Sequence, residues 1–181
     1  MTSTKNLTGD FGTLIGTIKS IEDLLFKYEV ERLDQAAAII FAIEALNEFY
    51  SNDPISYQNK NIAKSSTGLI FNIELVVKDK VFFVGEVIDP NSQVRPFPKK
   101  FDYTVIVDLN DQLLPYQILM MEWETLPQFL DWDLNRETWK VNYNKKFKES
   151  AIPLFPRRGF VSKLTMVSYY ASNQGEFLPP F

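Results

Sequence analysis

Carboxylates are the strongest acids and bases this chain can bring to a reaction, and several fall in pairs. Glu122 and Glu124 stand two residues apart, a spacing that puts both on one face of a strand. Asp131 and Asp133 repeat it, and Glu86 lies close to Asp89. Two carboxylates on one face can hold Mg²⁺ or divide acid and base roles between them. The competing reading is that they are solvated charges at strand edges, the ordinary fate of surface acids. A divalent-metal-dependent nuclease of the restriction-enzyme type would draw on Glu74, Glu86 and Asp102. Such a site wants Asp/Glu-x-Lys on its second strand. Lys78 follows Glu74 farther along than that spacing allows, and Glu86-Val87-Ile88 has no lysine.

Two absences narrow the chemistry further. The chain of 181 residues has no Cys and no His. That removes thiolate nucleophiles, disulfides, Cys zinc sites and iron–sulfur clusters, and with them imidazole bases and the Ser-His-Asp triad. Carboxylate chemistry, Lys or Tyr acid–base work, or binding without catalysis are what is left. The reading adopted here is binding: no catalytic residue, no cofactor and no metal ligand is assigned.

Other motifs fail at their demanding positions. Asp131-Trp132-Asp133-Leu134-Asn135-Arg136 opens like a calcium loop, yet Arg136 stands where the sharp turn needs Gly and Asn142 where a bidentate Glu belongs. Gly12 to Ser20 offers Gly16 and Lys19-Ser20 but no phosphate-loop frame, and Asp10-Phe11-Gly12 is a kinase triplet without its companions. Lys64 beside Ser65 and Ser66 is a neighbourhood any chain of this size contains.

The C-terminal quarter is the most distinctive stretch. Trp139, Lys140, Tyr143, Lys145, Lys146, Phe147 and Lys148 precede Arg157-Arg158. Residues 136–181 carry 8 basic and 3 acidic side chains, against 11 and 20 in residues 1–135, and the whole chain has a net charge of −4. Lysines on phosphates with aromatics on bases would make a single-strand binder, but a net acidic domain does not favour nucleic acid. The plain reading is a strand pair whose aromatics are core and whose lysines are solvated; a positive surface meeting the negative surface of a neighbouring subunit comes next, ahead of nucleic acid, and opposite charges in the two parts suit head-to-tail contacts that close into rings. Lys145, Lys146, Lys148, Arg157 and Arg158 are the candidate interface patch. Arg95 and Phe97, in a proline-rich loop, and Phe177 and Phe181, in the tail, are candidate anchors. On this reading, reversing the charges of Arg157 and Arg158 breaks oligomers and leaves the fold intact.

The elements that must position these residues follow from hydrophobic period. Residues 1–19, with Gly9, Gly12 and Gly16, read as an irregular arm. Ser20 reads as an N-cap, with Glu22 and Asp23 in the first turn. Residues 21–50 have helical spacing, as one long helix or as two with a break near Val30–Asp34. Its second half, AAAIIFAIEAL, is apolar nearly all round and is expected to be the most buried helix. From Thr67 the period is two, predicting a meander of four antiparallel strands: 69–77, 81–88, 101–109 and 113–124. Asn72, Glu74 and Lys78 fall on the face opposite Phe71 and Ile73. A short helix over Leu126–Leu134, a loop at Pro153 and Pro156, a last strand over Phe160–Tyr170 and an extended tail complete the expectation. No internal repeat, heptad or low-complexity tract is read. The organisation is an arm (1–19), a single α+β domain (20–170) and a tail (171–181). In it a helix or helix pair packs on a mainly antiparallel sheet, the four-strand meander plus one or two C-terminal strands. The polar start carries no secretory signal, and the longest near-continuous apolar run, Ala36 to Ile43, is far short of the roughly 20 residues that span a bilayer. The expected setting is soluble and cytoplasmic.

In element order over residues 20–125 the chain is similar to small neck and tail-completion proteins of bacteriophages. The resemblance implies an α+β subunit with N-terminal helices, an antiparallel sheet and arms. It implies assembly into rings without catalysis, by contact with other copies or neighbouring assembly proteins, and incorporation in a virion. A monomeric inhibitor or immunity-type protein, masking a basic target with its acidic portion, is the alternative.

Overall fold

A computed structural model describes residues 7–83, 98–157 and 164, with side chains from residue 16 onward in the first helix. The apolar run of the sequence forms α2 (Leu33–Phe49), which buries Ala36, Ala38, Ile39, Ala42, Ala45 and Leu46. Small side chains on one face let the helix sit close to a sheet, and the long ones fill the space between them. Before it comes α1 (Leu7–Lys27), so residues 7–19 are helical and not irregular, despite three glycines that each cost about 1 kcal/mol relative to Ala. Ser20 is inside this helix, where its hydroxyl donates to the Gly16 carbonyl at 2.9 Å instead of capping.

The two-helix alternative for residues 21–50 is the one the chain adopts. Val30 N–H bonds the Leu25 carbonyl and Glu29 N–H bonds the Phe26 carbonyl, the hydrogen-bond pattern that closes a helix with a left-handed residue after it. That residue is Glu29, at φ 50°.

Nine strands follow among the described residues. β1 (Ile55–Asn59), β2 (Ile62–Ser65), β3 (Ile70–Leu75), β5 (Tyr103–Leu109), β6 (Pro115–Glu122) and β9 (Ile152–Phe155) form a six-stranded sheet in the order β1-β2-β3-β5-β6-β9. β4 (Lys80–Phe83), β7 (Asp131–Asp133) and β8 (Thr138–Asn142) form a second sheet in the order β4-β8-β7. One turn of 3-10 helix (Leu126–Phe129) and a short α3 (Lys145–Ser150) complete the described elements. The class is α+β, a helix pair with a mainly antiparallel sheet.

The strand order of the large sheet departs from a sequential meander at two places, skipping β4 after β3 and both β7 and β8 after β6. β4 leaves the large sheet to pair with β8, so β3 and β5 become parallel neighbours, with Phe71 opposite Tyr103 and Leu75 opposite Val107. The hairpin β1–β2 covers the other edge of β3. Pro153, expected in a loop, lies on β9, an edge strand where a missing N–H costs no ladder bond. Leu126–Leu134 is a single 3-10 turn running into β7. Within the strand expected over Phe160–Tyr170, Leu164 alone is described, and it is helical and buried. The proline-rich loop, the tail and residues 84–88 of the second expected strand lie outside the described residues.

Two cores result, one on each face of the large sheet. α2 packs on Phe71, Ile73, Val105, Val107, Ile118 and Met120. The opposite face presents Ile106, Leu119 and Met121 to Val81, Phe83, Val141, Tyr143 and Phe147 of the small sheet and α3. β5 and β6 are therefore covered on both sides, which is why their sequences read as nearly continuous apolar runs.

Candidate functional site

The cleft at the end of the large sheet is built by four segments of the chain. Val30 and Arg32 come from the α1–α2 connection, Gln35 and Ile39 from α2, Lys60 and Asn61 from the β1–β2 turn, and Glu74 from β3. It encloses about 650 Å³, with Phe82 of β4 as a further wall. Glu74 Oε1 accepts from Asn61 Nδ2 at 3.2 Å and from Asn72 Nδ2 at 3.0 Å, and Asn61 Nδ2 also donates to Asn72 Oδ1 at 2.7 Å. Burial pushes the Glu74 carboxyl up to about 7, against the two asparagines, which favour the charged form. Such a group can exchange a proton near neutrality, and both of its hydrogen-bond partners are amides, which do not titrate.

The other expected acids do not join it. Asp102 is at the opposite end of β3, where its carboxylate accepts the Ile70 N–H at 2.7 Å while its own N–H bonds the Ile70 carbonyl at 3.0 Å. Four residues along the strand separate Ile70 from Glu74, about 13 Å. Glu86 lies outside the described residues. Glu124 pairs with Lys100 at 3.3 Å, both exposed. Asp133 belongs to the β7–β8 hairpin: Oδ1 accepts the N–H groups of Asn135 and Arg136, and Oδ2 accepts from Lys140 Nζ at 3.1 Å. Those bonds hold its carboxyl below the usual carboxylate range. The calcium-like sequence is thus a hairpin turn. Among the described residues no three acids gather in a group suited to a metal.

The basic stretch is continuous in sequence and divided in space. On the small-sheet side, Lys148 Nζ lies 4.0 Å from the Tyr143 ring centroid and Lys146 Nζ 5.9 Å from that of Phe129. Lys145 pairs with Glu149 at 3.6 Å, both well exposed. Arg157 stacks on Phe49 of α2, 5.0 Å from the ring centroid, and so belongs to the other face of the large sheet. Arg95, Phe97, Arg158, Phe177 and Phe181 lie outside the described residues. The aromatics between the lysines are core side chains: Phe147 is fully buried and Tyr143 nearly so. Tyr143 also donates its hydroxyl to Gln117 Oε1 at 2.9 Å, and neither ring is presented as a platform for a base.

A further surface went unread in the sequence. Between Gly16 and Lys27 no side chain of α1 is buried; Ile18 is 43 % and Phe26 88 % exposed. Ile21, Leu24 and Leu25, on its C-terminal half, are half-buried, and the chain is tied down just beyond them. There Tyr57 donates its hydroxyl to the Tyr28 carbonyl at 2.7 Å, and the two rings meet edge to face at 5.0 Å. The signal was present. Leu7, Phe11, Leu14, Ile18, Ile21, Leu25 and Tyr28 recur at alternating steps of four and three, a heptad. Three glycines in the same segment argued for an irregular arm and hid it.

No protein-family model matches this sequence, and no curated protein matches it.

Proposed function

We propose that this chain is a non-enzymatic assembly subunit, acting through contacts with other copies of itself or with neighbouring assembly proteins in the manner of phage neck and tail-completion proteins. One observation carries the reading: α1 leaves Ile18 and Phe26 in water although Ile21, Leu24 and Leu25 beside them are half-buried. Large apolar side chains of this kind gain about 1.5–3 kcal/mol each when covered. An apolar helix face of that sort marks a contact site in a soluble body. The uneven charge, negative over residues 1–135 and positive beyond, supports subunit contacts in the same sense.

Size exclusion with light scattering tests this. An assembly subunit has a mass that is a multiple of 21.0 kDa, or forms a stable complex with a co-expressed structural partner. A clean monomer at every concentration that captures no such partner would sink the reading and favour the monomeric inhibitor.

A further inference from the structure

We infer that the cleft around Glu74 binds a primary ammonium group carried on an apolar stem, a free alkylamine or a lysine side chain, at a site that does not depend on the assembly reading above. At about 650 Å³ the cleft is in the range of small-molecule sites, which run from about 300 to 1,000 Å³. Val30, Ile39, Leu75, Val77 and Phe82 give a stem an apolar wall, and Glu74 and Asn61 give its head a polar end.

The hydrogen bonds at the polar end decide what kind of head fits. Asn61 Nδ2 gives both of its hydrogens to acceptors of the protein, Asn72 Oδ1 and Glu74 Oε1, and Asn72 Nδ2 donates to the same Glu74 oxygen. Glu74 Oε2 and Asn61 Oδ1, on these directly bonded groups, accept no hydrogen bond from any described residue. Among the described residues Thr104 Oγ1 is the one buried side-chain oxygen or nitrogen without a partner, so both of those oxygens reach solvent, on two residues that line the cleft. Two open acceptors call for a group that donates, and an ammonium carries donors and no acceptor. The surrounding charges favour a cation as well. Glu29, Glu31 and Glu74 line the cleft, whereas Arg32 is paired with Asp34 and Lys60 is exposed. Burial, which pushes the Glu74 carboxyl up to about 7, is a cost that an incoming ammonium offsets by favouring the carboxylate.

Titration calorimetry at about pH 8, where Glu74 is ionised, tests the site with hexylamine as the probe and hexanol, of the same length without the charge, as its control. Hexylamine is expected to bind the wild-type chain at least about tenfold more tightly than hexanol, because a charge-assisted hydrogen bond is the stronger kind. Glu74→Gln keeps an oxygen for the two asparagines and removes the charge, and is expected to weaken hexylamine by about tenfold or more. No binding of hexylamine at millimolar concentration, or hexanol binding as tightly, overturns the inference. Both of those results are read on the wild-type chain and stand even if the variant does not fold. An unchanged affinity in a folded Glu74→Gln protein overturns it too. Nα-acetyl-lysine amide is the second probe: binding that depends on Glu74 in the same way assigns the site to a lysine side chain, and binding of hexylamine alone assigns it to a free amine.

Discussion

Asn47 on α2 holds Ile55 of β1 at both of its backbone polar groups: Oδ1 accepts the Ile55 N–H at 2.7 Å and Nδ2 donates to the Ile55 carbonyl at 3.1 Å. β1 is an edge strand, and Ile55 is buried, so its peptide groups need partners that the sheet does not provide on that side. A side-chain amide, with one acceptor and two donors, matches a backbone residue in both respects. The contact joins the helix layer to the first strand of the sheet.

Replacing Asn47 with Ala leaves both groups of Ile55 without that partner. The expected loss is about 2 kcal/mol, two hydrogen bonds of roughly 1 kcal/mol each. Asn47→Asp keeps the acceptor and loses the donor, and is expected to cost about half as much. Urea unfolding monitored by circular dichroism measures both, and equal losses for Ala and Asp would show that the two bonds are not separable in this way.

Thr104 presents the opposite situation. Its hydroxyl is buried in β5 and has no hydrogen-bond partner among the described residues. Thr104→Val replaces it with a methyl of similar size and removes the desolvation cost, so the variant is expected to be more stable by about 1 kcal/mol. A higher midpoint at unchanged m-value is the expected readout. A loss of stability would indicate that the hydroxyl is satisfied in solution.

Glu74 makes stability depend on pH. In the unfolded chain it ionises near its ordinary 4.5, whereas burial in the fold pushes it up to about 7. Between those values the unfolded chain has released a proton that the folded chain still holds. Stability therefore falls as pH rises through the window, and the full cost is in place above it. Glu74→Gln does not ionise and retains an oxygen for Asn61 and Asn72. The variant is expected to match the wild type at about pH 4 and to be more stable by about 3 kcal/mol at about pH 8. Melting temperatures of the pair across that range decide it, and a difference independent of pH would remove burial as the cause.

Glu29 closes α1 from a left-handed conformation at φ 50°, which costs an L side chain about 1–2 kcal/mol and glycine almost nothing. Glu29→Gly is expected to stabilise the α1–α2 corner by about 1 kcal/mol once the greater freedom of unfolded glycine is counted. Thermal melts are the check, and a lower melting temperature would mean that the Glu29 side chain supplies more than its backbone costs.

Period is a local property, and where the structure depends on it the sequence was enough. The continuous apolar face from Ala36 to Leu46 could only be the buried helix, and the alternation of Phe101 to Leu109, with the turn at Asn110, specified the β5–β6 hairpin. The lack of Cys and His restricted the chemistry before any fold was known. Which strands became neighbours was decided elsewhere. β4 pairs with β8, more than fifty residues away, because Val81 and Phe83 find Val141 and Phe147 there, and the parallel contact of β3 with β5 is the consequence. The same distant layer makes core residues of Tyr143 and Phe147, whose surroundings no window of adjacent residues contains. The Asn61 turn meeting β3 encloses Glu74 and Asn72, which alternation alone had assigned to an open face. The split of the lysines of α3 from Arg157 likewise required three dimensions, since a charged stretch in sequence becomes a patch only if its backbone stays on one side of the sheet.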